Sequence, residues 1–295
     1  MKKIHIVYFS GTGCTALAAN CLEKTIRERG CDTRIERIAS GDGCGNFAYE
    51  NGENKKPDSL VLLFPVYVCT APGPVIEWLR DTGQVDGVQA AVISVSGGGE
   101  VSPNTASRVS AVKMLSKKGY DVFFEDEIVM PSNIALATPE PLPVMLLQVL
   151  PDKARAIAEG ILAGTRKRKL PLFIDRFFAF VGIVERRYAK RWGKAINVSN
   201  KCDGCGLCAA QCSQGNISMA GSAPIFSDKC CTCLGCFYAC PLEALKPKWG
   251  KRLIIKGFNL KELEEQALAT ERAESVQFPS GYIWSGVKKY LSEYF

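Results

Sequence analysis

From the N-terminus to about residue 165, short apolar or β-branched runs alternate with stretches whose apolar residues recur at helical spacing. Ile4–Phe9 reads as a first strand. A helix from about Thr15 to Arg29 follows and ends at Gly30, a residue free to take the left-handed conformation of a helix stop. Thr33–Ile38, Ser59–Phe64, Ala90–Val95 and Asp121–Val129 read as further strands. Helices fit at Gly73–Arg80, Asn104–Lys118 and about Val144–Ala163, where Pro151 belongs to a first turn or a kink. Gly41–Pro57, rich in Gly and Asn, reads as a loop. Five strands with intervening helices predict an α/β fold built on a doubly wound parallel sheet, which binds ligands at the carboxyl ends of its strands near the topological switch point.

The loop after the first strand, Ser10-Gly11-Thr12-Gly13-Cys14-Thr15, runs straight into a helix. Its glycines permit close backbone approach, its amides and the helix N-terminus favour an anion, and its hydroxyls can donate to phosphate oxygens with no Lys or Arg in the loop. Gly11-x-Gly13-x-x-Ala16 also satisfies the dinucleotide fingerprint, although small apolar residues usually stand where Ser10, Thr12 and Thr15 do. A Walker loop is excluded because no Gly-Lys-Ser/Thr follows. The bland alternative is a glycine turn with idle hydroxyls. A monophosphate such as that of FMN suits the loop best.

Ser10, Thr12, Gly13 and Thr15 match a Ser/Thr-x-Thr-Gly-x-Thr pattern, and on them the sequence resembles the flavodoxin superfamily, which holds the FMN phosphate in this loop. The resemblance implies an isoalloxazine site in the loops after the third and fourth strands. Those are Pro65-Val66-Tyr67-Val68-Cys69-Thr70-Ala71-Pro72-Gly73 and the stretch Ser94–Asn104 with Ser96, Gly97, Gly98 and Gly99. Tyr67 could stack on the flavin and the glycine amides could reach its polar edge; the alternatives are a buried tyrosine and an ordinary glycine loop. Ser94–Asn104 lacks the second stacking aromatic common in short-chain flavodoxins, so the resemblance leaves open whether that flavin face is covered.

The strongest signal is the cysteine array. Cys202-x2-Cys205-x2-Cys208-x3-Cys212 is followed by Cys230-x2-Cys233-x2-Cys236-x3-Cys240-Pro241, the spacing of two-cluster bacterial ferredoxins. Three thiolates two residues apart wrap three corners of a 4Fe-4S cubane, and the fourth corner comes from the other motif. Cluster one should then use Cys202, Cys205, Cys208 and Cys240, and cluster two Cys230, Cys233, Cys236 and Cys212. Paired zinc sites are the alternative, but they do not need triple spacing in duplicate. Asn197–Lys246 resembles the ferredoxin fold as a whole, with Ser213 where these ferredoxins carry proline. Cys231 reads as a non-ligand.

Fourteen cysteines in 295 residues with a core-sized apolar fraction of 47% point to metal or redox work rather than a secreted disulfide framework. The +7 net charge is concentrated: Arg166–Lys194 holds ten Lys/Arg against two acids. Within it Pro171–Val184 is apolar, with Phe173, Phe177, Phe180 and Val184 at helical spacing. This segment could be a linker helix packed between domains, a basic docking surface for an acidic redox protein, or an interfacial membrane helix. No nucleic-acid recognition motif accompanies the charge. The tail carries a helix capped by Asn259 and an aromatic cluster that should pack on a neighbouring domain. His5 reads as structural, and Glu125, Asp126 and Glu127 as a strand end with solvated acids. Gly11-Thr12-Gly13 cuts short any signal peptide and no run of 18 apolar residues occurs, so a soluble, cytoplasmic protein is expected.

Phe64-Pro65-Val66-Tyr67 and Met130-Pro131-Ser132-Asn133 extend the likeness to the flavodoxin/ferredoxin fusion proteins of anaerobic bacteria and archaea. The implied layout is an FMN domain over 1–165, a basic and partly helical linker over 166–196, a two-cluster domain over 197–247 and a C-terminal extension over 248–295. The implied function is passage of low-potential electrons between two 4Fe-4S clusters and FMN, and on to a redox protein partner docked on Arg166–Lys194. A flavin-dependent reductase of a small molecule, fed by its own clusters, and an iron-sulfur redox sensor using Cys231 are the alternatives.

Overall fold

A computed structural model describes residues 1–39, 56–255, 258–273, 278 and 281–295. Most of the Gly41–Pro57 loop reading, and Cys44, lie outside the described residues.

Strands β1 (Lys3–Tyr8), β2 (Asp32–Arg37), β3 (Ser59–Pro65), β4 (Gln89–Ser96) and β5 (Asp121–Val129) form one parallel sheet in the order β2-β1-β3-β4-β5. That is the flavodoxin-like doubly wound order, with its switch point between β1 and β3. Alternation along the strands divides the core. Ile4, Ile6, Val61, Leu63 and Ile93 face helices α1 (Cys14–Glu28) and α4 (Leu142–Leu162). Val7, Phe9, Leu60, Leu62 and Val92 face α2 (Gly73–Asp81) and α3 (Val109–Lys117). Covered on both sides, β3 is an unbroken apolar run, as a central parallel strand must be.

Three expectations change. The helix expected over Asn104–Lys118 is split into a single 3-10 turn, Asn104–Ala106, and α3. Between them Arg108 is pulled into the interior, 1% exposed, where it binds Ser94 (2.7 Å), Glu100, Glu125 (3.4 Å) and Glu127 (3.7 Å). Helix α4 starts at Leu142 and runs through Pro151, which sits in its interior rather than at its first turn. Glu125, Asp126 and Glu127 are not solvated: all three are buried. Cations from the start of the linker meet them, Lys167 on Asp126 at 2.7 Å and Arg168 on Glu125 at 2.5 Å, with Lys153 of α4 on Asp126 at 3.0 Å. Arg166 pairs with Asp121 and Lys169 with Glu100. Backbone bonds between Lys167 and both Phe123 and Glu125 dock this segment along the outer edge of β5. The first four cations of the basic segment are therefore each paired with an acid of the protein while their side chains stay partly exposed.

Helix α5 (Phe173–Lys194) is a strut. Near its start, buried Asp175 accepts hydrogen bonds from the hydroxyls of Ser102 (2.6 Å) and Thr105 (2.5 Å). Near its end, Trp192 enters a second core with Ile196, Cys208, Ile217, Leu234, Phe237 and Leu245. Around that core lie a two-stranded pair β6 (Ile196–Val198) with β9 (Leu245–Pro247), a hairpin β7 (Ile217–Ala220) with β8 (Ala223–Phe226), and the single-turn helices α6 (Leu207–Ala210) and α7 (Gly235–Tyr238). The tail returns to the sheet. Helix α8 (Leu260–Ala269), capped by the Asn259 side chain as expected, packs on α4, and α9 (Ser285–Leu291) buries Val287, Tyr290 and Leu291 against α4 and the end of β5. His5 is buried in β1 with Nε2 3.4 Å from Glu36.

Candidate functional site

The carboxyl ends of β1, β3, β4 and β5 open on one cavity. From the first loop it is lined by Ser10, Gly11, Thr12, Cys14 and Thr15, from the second by Pro65, Val66 and Tyr67, and from the third by Ser96 and Gly97. Gly13 caps α1 at φ 106°, a left-handed geometry suited to glycine, and its N–H donates to Ser10 Oγ at 3.2 Å. The loop is thereby wound about the free N–H groups of the helix N-terminus, a cradle for an anion. Arg37, at the end of β2, donates to the Ser10 carbonyl at 3.1 Å and brings to the loop a positive charge that the loop's own sequence lacks. Burial pushes the Cys14 thiol up to about 12, so it is a neutral wall of the cavity.

Gly13, Val68, Gly98 and Gly99 do not line this cavity. A Cβ on Gly99 would meet the Gly286 carbonyl carbon of α9 at 2.6 Å, so the packing of the tail helix needs that glycine. Val68 and Cys69 form the tip of a tight turn closed by Tyr67 and Thr70, with φ 43° and 60°. A β-branched residue in this region costs on the order of 1–3 kcal/mol, which the surrounding contacts must over-determine. Helix α5 supplies them: a Cβ on Gly182 would lie 2.1 Å from the Val68 carbonyl oxygen. Tyr67 meets Phe9 edge-on, and its hydroxyl points to Gly11 and the cysteine-rich unit rather than standing free as a stacking platform. Burial and the neighbouring Cys233 and Cys231 sulfurs keep it protonated.

The other wall was not read from the sequence as part of this site. Thr232, Cys233 and Leu234 close over the cavity, opposite Met130, Pro131, Ser132 and Asn133 from the end of β5. Asn133 bonds Thr12 through its side chain and accepts from the Tyr238 hydroxyl through its carbonyl at 2.6 Å. The Gly11 carbonyl accepts from Gln211 at 3.4 Å, and a Cβ on Gly235 would meet that same oxygen at 2.6 Å. Thus a loop of the second unit covers this cavity. The switch-point rule could have pointed to 130–133, which follow a strand; nothing local points to 232–234.

The thiols of the two motifs lie around a second, cysteine-rich unit. Cys202, Cys205, Cys208 and Cys240 line one apolar cavity with Met219, Pro224 and Leu242. Cys236 is pushed up by burial and by the sulfurs of Cys233, Cys230, Cys212 and Cys208. Cys240 of the second motif thus stands beside three thiols of the first. Backbone N–H groups of Asn216, Thr232 and Ala244 donate to Cys212, Cys230 and Cys240 at 3.3 Å, a stabilisation of thiolate charge. Among the described residues no three His, Cys, Asp or Glu side chains close on a single metal ion. Cys231 donates to Cys233 and is held protonated by that bond, which in turn pulls Cys233 down to about 7.

Gly11 is a point of close approach between the two units. Its Cβ would lie 2.5 Å from Cys233 Cβ and 2.6 Å from the Tyr67 hydroxyl. Gly11→Ala is expected to destabilise the chain by about 1–3 kcal/mol through overpacking and to loosen the cover of the cavity. Thermal unfolding together with flavin retention on gel filtration checks this; an unchanged pair of values would refute it.

No family model matches the chain, and no curated protein is similar to it. Among solved structures it is similar to a flavodoxin of Streptococcus pneumonia TIGR4 (16% identity, 55% of this chain and 98% of that one, TM-score 0.40). A flavodoxin of Pseudomonas aeruginosa (13% identity, 56% and 99%, TM-score 0.40) and a flavodiiron protein of Giardia intestinalis (17% identity, 56% and 37%, TM-score 0.36) are also similar. The fold assignment rests on the strand order and its parallel register, not on these scores.

Proposed function

We propose that the chain is an electron-transfer protein that carries FMN at the sheet edge and two 4Fe-4S clusters in the cysteine-rich unit. The observation that carries this reading is the position of Cys233. It belongs to the second thiol set and also lines the cavity at the phosphate-type loop, so cluster two and flavin would be neighbours. FMN exchanges one or two electrons and so joins single-electron flow through the clusters to hydride-level chemistry. The chain's own residues have separate tasks. The hydroxyls of Ser10, Thr12 and Thr15 with the α1 amides hold the phosphate, Tyr67 and Thr232–Leu234 exclude water, and the N–H donors on sulfur set the charge of each thiol set. Cys205 is exposed, so the first set is the natural contact point for a redox partner, with the second set between it and the flavin. Anaerobic purification should give about eight iron and about eight sulfide with one FMN per chain. Zinc without flavin would end the proposal.

A second reading, reduction of a small molecule, is favoured by a cavity of about 630 Å³ between α2, α5 and the cluster-two loop. Arg80, Arg186, Lys190 and Lys229 line it against Glu77, beside Tyr67, Cys230 and Cys231. Its size and position between two units suit a small anionic ligand. Steady-state turnover of such a compound with reduced ferredoxin would favour this reading; exchange with redox proteins alone would favour the carrier.

A further inference from the structure

We propose that helix α5 seats this protein on a membrane surface containing anionic lipid. The helix is mounted with its bulky side outward. It packs on the protein through Asp175, Gly182, Arg186, Ala189 and Gly193, a row at helical spacing. Arg186 donates to the Ala71 carbonyl at 2.6 Å, and a Cβ on Gly193 would lie 2.1 Å from Cys230 Cβ. With the small-residue face committed inward, the opposite row faces solvent: Phe173 is 88% exposed, Phe177 61%, Val184 41% and Tyr188 60%. Leu170 just ahead of the helix is 93% exposed, and Phe180 and Val181 widen the same face. Scattered exposed apolar residues need no explanation, but a contiguous aromatic ridge along a whole helix marks an interaction surface.

Shape and charge identify what covers it. The surface is a convex ridge on one helix of 22 residues, about 33 Å long, and not a groove that would receive a partner's helix. At 100° per residue Arg176 falls on the flank beside Phe180, and Arg191 continues the Phe177–Val184 row; both are exposed. Long cationic side chains at the edge of an aromatic belt can lie along it and reach lipid phosphates. In a two-fold pairing with a second copy these same cations would be brought to the shared interface, where like charges repel. The acid on the inner row, Asp175, is fully buried and does not oppose an anionic surface. No helix among the described residues is long and apolar enough to cross a membrane, so α5 would lie in the interface plane.

The test is flotation of the anaerobically prepared full-length protein, cofactors included, with vesicles of phosphatidylcholine alone or mixed with phosphatidylglycerol. Flotation with the mixed vesicles and weakening by salt are expected. Phe173→Ser with Phe177→Ser should reduce partitioning at least about tenfold. Arg176→Gln with Arg191→Gln should reduce it about fivefold per cation on mixed vesicles only. All four positions are exposed and away from the thiols and the sheet-edge cavity, so absorption spectra should be unchanged. No flotation with either composition overturns the proposal, as does flotation that survives the phenylalanine pair. A dimer on gel filtration that the phenylalanine pair dissociates, without flotation, would assign the face to a second copy instead.

Discussion

Cys212→Ser is expected to remove the cluster held by Cys230, Cys233 and Cys236, lowering iron from about eight to about four per chain. Cys212 stands in the first motif, so this outcome separates a crossed from an uncrossed arrangement when double variants are compared. If the sets cross, Cys212→Ser with Cys233→Ser strikes one cluster and leaves about four iron, while Cys212→Ser with Cys205→Ser strikes both and leaves about none. An uncrossed arrangement reverses the two results. The first pattern is the one the proposed function expects; Cys240 lines the cavity of Cys202, Cys205 and Cys208. Losing cluster two should also expose the flavin, since Thr232–Leu234 are its cover. Iron and sulfide analysis with flavin fluorescence of the same samples measures both effects.

The second large effect is at Arg108. Its guanidinium is buried among Glu100, Glu125 and Glu127, and Arg108→Met would leave those carboxylates facing one another without their common partner. A loss of about 3–5 kcal/mol at neutral pH is expected, as for other broken buried ion pairs. Its pH dependence has a definite sign. Burial raises Glu127 from 4.5 to about 7, so the folded state takes up a proton that the unfolded state does not between these values. Stability from this group is therefore present below about 4.5 and lost as pH rises towards 7. Without Arg108 Glu127 ionises still less readily, so the penalty should shrink on acidification from pH 7 towards 5, and Glu127→Gln should flatten that part of the pH profile. Urea titrations across that range check it; a pH-independent penalty would show that the network is held by packing alone. Glu100 and Asp126, pulled down by Arg108 and by the Lys153 and Lys167 ammonium groups, act in the opposite sense at lower pH.

The two halves of the molecule were legible to different depths. Ile4–Phe9, Ser59–Phe64 and Ala90–Val95 announce central parallel strands because both of their faces must be apolar. The cysteine spacing was legible as a motif because its eight thiols recur at fixed short intervals. Harder to read were segments whose role depends on a distant neighbour. Glu125, Asp126 and Glu127 look like surface acids until Arg108 and Arg166–Lys169 are brought against them. Gly98 and Gly99 look like a ligand loop until α9 is found resting on them. The phenylalanines of α5 look like a buried stripe, yet the glycines and alanine of the opposite face allow the closer approach to the protein.

The sequence by itself determined the strand order's raw material, the phosphate-type loop and the inventory of eight thiols, because each is specified by residues near one another in the chain. Only the tertiary structure decided that Cys233 shares a cavity with Ser10 and Thr12, that the linker's first cations pair with acids of β5, and that the aromatic face of α5 looks outward. Those facts depend on which surfaces of separate units meet, and local propensity and spacing carry no information about a neighbour some 220 residues away in the chain.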